Sequence, residues 1–204
     1  MLGRRTPVTI LLLIAIGIGY VLQLVMGRPL TAAGANYGPA IQAGEYWRLV
    51  TSMFLHGSLL HIAFNAYALY QLGSMFERLL GSWRMLMVYF ATGIAASLTS
   101  AYFSSVPSVG ASGAIFGLMG GLIAFLLRRR AALTPQGKSI LIQLVGWAVL
   151  NVVFGFSTPG IDNSAHLGGC AAGLLLGFLM PEPKKELPAP AYEEGYEGNI
   201  RGRL

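Results

Sequence analysis

Charge is scarce in this sequence. Asp, Glu, Lys and Arg together make up 11% of its 204 residues, against about a quarter in an ordinary soluble domain. With 54% hydrophobic residues, that shortage argues against a soluble globular protein and for a chain that crosses a membrane several times. Cysteine is nearly absent too: Cys170 stands alone, which excludes an intrachain disulfide. Dense basic clusters are also missing. The net charge is +6, but the basic residues are dispersed or flank apolar runs, a pattern that orients a membrane protein and offers no nucleic-acid surface. A cleavable leader is not expected. Arg4 and Arg5 precede an apolar run that is too long for a signal-peptide core, and no clear A-x-A site follows it. The run reads as a retained signal-anchor helix.

What is present in abundance is apolar sequence in six stretches, about 7–26, 57–80, 83–104, 112–127, 139–156 and 164–180. Each is judged against the roughly 20 residues a bilayer demands. A long connection, about 27–54, separates the first two and is rich in Gly, Pro, Ala and aromatics. The segment 181–204, rich in Pro, Glu, Gly and Tyr, reads as a disordered cytoplasmic tail on a membrane domain formed by residues 1–180. Basic residues sort by side. Arg4, Arg5, Arg78, Arg84, Arg128, Arg129, Arg130, Lys138, Lys184, Lys185, Arg201 and Arg203 fall on one side, and only Arg28 and Arg48 on the other. The positive-inside rule then puts both termini in the cytoplasm and faces the 27–54, 105–111 and 157–163 connections outward. Glycines recur at Gly117, Gly120 and Gly121, and at Gly168, Gly169, Gly173 and Gly177. Such spacing lets helix backbones approach closely, so the fourth and sixth helices are expected to be central.

Polar residues inside apolar segments are the informative ones in a membrane protein. Four stand out: His61 and Asn65 on the second segment, Ser112 at the head of the fourth and His166 at the head of the sixth. Counting from Ser112 to Arg128, and from His61 to Glu77, gives roughly 24 Å of helix each; His166 to Pro181 is similar. All three residues are therefore expected at one depth, below the outer face. Asn65 lies one turn deeper on the same face as His61. The fourth and sixth helices look too short for the whole bilayer, so their N-termini are expected to line a water-accessible cavity.

That set has a chemical meaning. A serine hydroxyl becomes a nucleophile when a neutral imidazole takes its proton. Gly110 and Gly113 flank Ser112 and leave room for a substrate carbonyl, and a helix start offers free N–H groups to an oxyanion. His61 and Asn65 bring further donors. No carboxylate lies in the segments to orient His166, so the pair is a dyad, with Phe116 one turn after Ser112 to pack on the imidazole. Taken singly, each residue has a blander role: a helix cap for Ser112, an interhelical hydrogen bond for a histidine, packing for Asn65. Glu77-Arg78 is expected to anchor a helix end, and Cys170 to be a small packing residue.

The motifs resemble those of the rhomboid family of intramembrane serine proteases. Trp47-Arg48, followed by His56-x4-His61-x3-Asn65, is similar to the family's WR pair and HxxxxHxxxN motif. Gly73-x3-Glu77-x3-Gly81 resembles GxxxExxxG, Gly110-Ala111-Ser112-Gly113 resembles GxSG, and Ala165-His166-x2-Gly169-x3-Gly173 resembles AHxxGxxxG. Order and spacing agree over about residues 44–177. The resemblance implies an all-α membrane protein, a rhomboid-like bundle of six transmembrane helices of the minimal bacterial type, with its site opening on the outer side of a plasma membrane. It implies Ser112 as nucleophile and His166 as base. The Ser112 amide, His61 and Asn65 would form the oxyanion hole, which Gly110 helps shape. Trp47, Arg48 and His56 would fix the first loop, and Phe116 would stack on His166 where the family often has Tyr. It implies no metal or cofactor, transmembrane protein substrates, and lipid as surroundings; the oligomeric state stays open. Two rivals are a catalytically dead relative that binds membrane clients and a transporter or channel. The first usually lacks the serine or the histidine. The second is disfavoured because the polar residues gather on one side and no inverted repeat is evident.

Overall fold

In the computed structural model, residues 5–181 are described. Six main helices follow the six apolar stretches: α1 (Pro7–Met26), α2 (Leu59–Leu80), α3 (Ser82–Phe103), α4 (Ser112–Arg128), α5 (Pro135–Ser157) and α6 (Asn163–Leu179). By length and apolarity, α1, α3 and α5 suffice to cross a membrane. A fourth candidate span pairs α2 with the preceding segment Arg48–Phe54, bent by 95° at the break between them. The remaining two, α4 and α6, are apolar but shorter, at 17 residues each, or about 25 Å. All but Pro181 of the segment expected to be a tail lies outside the described residues, as do Arg4, Lys184, Lys185, Arg201 and Arg203 of the charge pattern.

The helix starts follow ordinary chemistry. Pro7 and Pro135 occupy first-turn positions, where a missing N–H costs nothing. Ser58 caps α2 by accepting from the His61 amide at 3.1 Å, and Thr134 caps α5 through the Gly137 amide at 3.2 Å. The start of α1 is served from another helix. Glu77 of α2 accepts from the Val8 and Thr9 amides at 3.0 and 2.8 Å, from Thr9 Oγ1 at 2.7 Å and from Ser82 Oγ at 2.7 Å. One buried carboxylate thereby satisfies orphan donors of α1 and ties α1, α2 and α3 together. Within α2, residues Leu69–Gly73 form a π turn.

The core is built around α4, which is buried without a break from Gly113 to Leu126. On α3 the buried residues recur at helical spacing: Met85, Val88, Tyr89, Thr92, Gly93, Ala96, Ser97 and Ser100. Helix α5 lies at the rim, with only Leu144 and Gly155 buried along its length. The contact of α4 with α6 is made backbone to backbone. A Cβ on Gly169, Gly173 or Gly177 would strike the carbonyl oxygen of Gly113, Gly117 or Gly121 respectively. Three glycines spaced by four on one helix thus face three spaced by four on the other, and this fixes their register.

The connection before α2 is built of short helical pieces. It holds the short helices Arg28–Gly34, Gly38–Gln42 and Arg48–Thr51 and the 3-10 turn Ser52–Phe54. Pro29 and Pro39 stand in the first turns of the first two, where a fixed φ favours initiation. The Arg48 guanidinium then gathers the segment. It donates to the Ala32 and Ala35 carbonyls at 2.7 and 2.9 Å and pairs with Glu45 at 2.6 Å. Trp47 Nε1 donates to the Ala33 carbonyl at 3.1 Å.

Candidate active site

Ser112 is the first residue of α4, and His166 lies in the first turn of α6. Because Gly113 and Gly169 bring these two helices into backbone contact just beyond both residues, their side chains meet. His166 Nε2 lies 2.9 Å from Ser112 Oγ. Phe116, one turn along α4, stacks on the imidazole with ring centroids 4.2 Å apart and planes within 8°. It holds the ring flat from below. His166 Nδ1 is buried and has no hydrogen-bond partner.

The segment entering α4 is held from the first loop. Ser108 and Asn36 exchange two backbone hydrogen bonds of 2.9 Å, forming an isolated antiparallel bridge. The Gly110 amide donates to the Ser52 carbonyl at 2.9 Å. Gly110 itself has φ +132°, a conformation L-residues rarely adopt, and a Cβ there would come within 2.9 Å of the His61 ring. The glycine requirement is therefore double: backbone conformation and room for His61. This arrangement sets the His61 edge beside the chain that delivers Ser112. The first N–H groups of α4 have no acceptor within their own helix.

The other singled-out residues divide. His61 Nδ1 accepts weakly from the Gly57 amide at 3.3 Å, and its ring meets the His56 ring edge-on at 5.2 Å. His56 is buried with neither ring nitrogen partnered, while its amide donates to Gln23 Oε1 of α1 at 2.7 Å. Asn65 is buried one turn beyond His61, its Nδ2 donating to the His61 carbonyl at 2.9 Å and its Oδ1 without a partner. Ser112, His166, Phe116, Gly110, Gly113 and His61 are brought together. Trp47 and Arg48 stand apart, in the first loop. Among the described residues no group of three or more His, Cys, Asp or Glu is placed to hold a metal.

Several residues at the site escaped the sequence analysis. A small polar cavity beside Ser112 is lined by Asn36, Ser52, Ser97, Ser108 and Asp162 as well as Gly110 and Gly113. No carboxylate of the apolar segments bonds to His166, but Asp162 borders the cavity. It sits just outside the sixth segment as the N-cap of α6, its Oδ1 accepting from the Ala165 amide at 3.0 Å. An Asp ahead of an apolar run is an N-cap signal that could have found this one. For Asn36, far off in sequence, there was no such signal.

Comparison with known proteins agrees with the motifs. A model of the rhomboid domain matches residues 43–183. The chain is 42% identical over 156 residues to rhomboid protease GluP of Bacillus subtilis, covering 76% of this chain and 30% of that protein. It is 36% identical over 157 residues to the putative rhomboid protease YdcA of the same organism, covering 76% of each. To rhomboid protease AarA of Providencia stuartii it is 31% identical over 189 residues, 78% of this chain and 67% of that one. The chain thus spans under a third of GluP but most of YdcA. A rhomboid domain over most of the chain, carrying a serine and a histidine in hydrogen-bond contact, makes this protein a member of the rhomboid family.

Proposed function

We propose that the protein is an intramembrane serine endopeptidase that hydrolyses peptide bonds in or near transmembrane segments of membrane proteins, with Ser112 as nucleophile and His166 as general base. The observation that carries this is the 2.9 Å contact between His166 Nε2 and Ser112 Oγ, at the joined starts of two apolar helices too short to cross a bilayer. Six helices make up the membrane bundle in this proposal, α4 and α6 starting below its outer face, with both termini cytoplasmic and the site opening outward, on a bacterial plasma membrane. Residues 1–180 form the membrane domain and 181–204 a cytoplasmic tail. The apolar residues exposed on α1 and α5, such as Leu11, Leu24, Ile142 and Phe154, then face lipid.

The chemistry follows from the geometry. Ser112 Oγ attacks the scissile carbonyl carbon while His166 Nε2 takes the hydroxyl proton. The carbonyl oxygen becomes an oxyanion, received by the Ser112 amide, His61 and Asn65. Gly110, without a Cβ, keeps the approach open. As the peptide C–N bond breaks, His166 returns the proton to the leaving nitrogen. Water then attacks the acyl-enzyme by the same route and releases the acid. A substrate helix must unwind to present its carbonyl, since each is engaged in the helix's own hydrogen bonds. Glycine, proline and other weak helix formers near the cut should therefore favour cleavage. Neither a metal nor a cofactor takes part in these steps. The 157–163 loop is the segment we assign as a mobile cap over the cavity.

The test is cleavage of a model single-span substrate in liposomes by wild type, Ser112→Ala and His166→Ala, with fluorophosphonate labelling alongside. Activity and labelling in wild type, and neither in folded variants, is the expected result. Full activity in both variants defeats the assignment. A wild type that is inert on several substrates and unlabelled favours a client-binding relative instead.

A further inference from the structure

Three acidic residues lie among the described ones: Glu45, Glu77 and Asp162. Glu45 pairs with Arg48, and Glu77 serves the first turn of α1, which leaves Asp162 as the acid at the dyad. Its two oxygens are used differently. Oδ1 accepts from the Ala165 amide at 3.0 Å, and Oδ2 accepts from Ser100 Oγ of α3 at 2.5 Å. Ser100 Oγ in turn lies 3.1 Å from Ser108 Oγ, in the loop that delivers Ser112. One carboxylate therefore joins the start of α6, the end of α3 and the approach to α4. It also lines the same cavity as Ser112. His166 follows one helical turn later, on the same side of α6, and its amide donates to the Asp162 carbonyl at 3.2 Å.

Building on the proposed dyad, we infer that Asp162 is a positioning residue for His166. Its hydrogen bonds hold the carboxylate at the first turn of α6, and from there its negative charge stabilises the imidazolium formed as Ser112 gives up its proton. This is no triad, for His166 Nδ1 donates no hydrogen bond to the carboxylate. The influence runs through space, from the rim of the cavity that Ser112 also lines, as the attraction between opposite charges. The other titratable group beside the dyad is His61, whose ring lies against Gly110 just before Ser112, with His56 behind it. Helices α3, α4 and α5 contribute no acid.

The test uses the full chain in detergent with a single-span substrate, measuring kcat, KM and thermal midpoint. Asp162→Asn keeps the shape, the cap acceptor and a partner for Ser100 but removes the charge. It is expected to lower kcat roughly ten- to fiftyfold, with KM and the midpoint near wild type. Ser100→Ala removes the bridge and keeps the charge. It is expected to lower the midpoint and leave kcat within about threefold. Wild-type kcat in Asp162→Asn overturns the inference and leaves a structural cap. An equal kcat loss in Ser100→Ala also overturns it, because hydrogen-bonded placement would then account for the whole effect. Ser112→Ala separates the two levels. If that variant cleaves like wild type, the dyad itself is wrong; if it is inert while Asp162→Asn is unimpaired, only this inference fails.

Discussion

The two ends of the helix bundle treat buried polar groups in opposite ways. At the Glu77 end, one carboxylate takes four hydrogen bonds from α1 and α3 and its oxygens are fully spent. At the Ser112 end, buried polar atoms of Asn36, His56, Asn65 and His166 lack a partner. Buried polar groups in folded proteins are nearly always satisfied, so such a concentration calls for a reason. A saturated network holds helices together and has nothing left to offer a substrate. An unsaturated one is costly to the fold but leaves donors and acceptors for a reacting group. The difference separates a structural cluster from the candidate reactive one, although both use acidic or basic side chains at helix ends.

Mutations at the two ends should therefore dissociate activity from stability. The largest effect belongs to the dyad: Ser112→Ala or His166→Ala should reduce proteolysis by roughly 10⁴-fold or more, with a thermal midpoint close to wild type. Loss of folding in either variant would show that the dyad end is structural as well. Glu77→Ala should do the reverse. Orphaning the first-turn donors of α1 should cost about 3 kcal/mol, read by thermal or denaturant unfolding in detergent, while the folded fraction keeps its kcat. A variant with normal stability and lost activity would erase the contrast. His61→Ala should lower kcat about 10²-fold with little change in KM, as removal of one oxyanion donor does. Phe116→Ala should cost about tenfold in kcat by releasing the imidazole from its stack, and Phe116→Tyr should stay within about twofold because the ring face is retained.

The sequence disclosed the helices because lipid-facing chain must be apolar for some 20 residues at a time, and the observed helices begin and end within a few residues of the apolar stretches. Ser112, His166, His61 and Asn65 were legible for the same reason: a polar group within an apolar run is costly and invites explanation. The 28–54 segment was harder. Its composition shows only a long connection rich in Gly, Pro, Ala and aromatics, yet Arg48 ties the third of its short helices to the end of the first by donating to the Ala32 and Ala35 carbonyls, and a carbonyl partner leaves no trace in side-chain identity. Asp162 was missed although a cap signal marked it, and its reach to Ser100 left no signal at all, since the two lie 62 residues apart.

By itself, then, the sequence determined that the chain is helical and apolar, which polar residues interrupt it, and which motifs they form, because hydropathy and spacing are local properties. Only the tertiary structure decided that Ser112 and His166 touch. Their contact depends on glycine-to-carbonyl packing of α4 against α6 in one register, and a shift of one turn, about 5.4 Å, would part the pair without altering any local pattern. The bridge from Asn36 to Ser108 and the carboxylate of Asp162 were decided there as well. Each joins segments distant in the chain, and only packing brings such groups within hydrogen-bond reach.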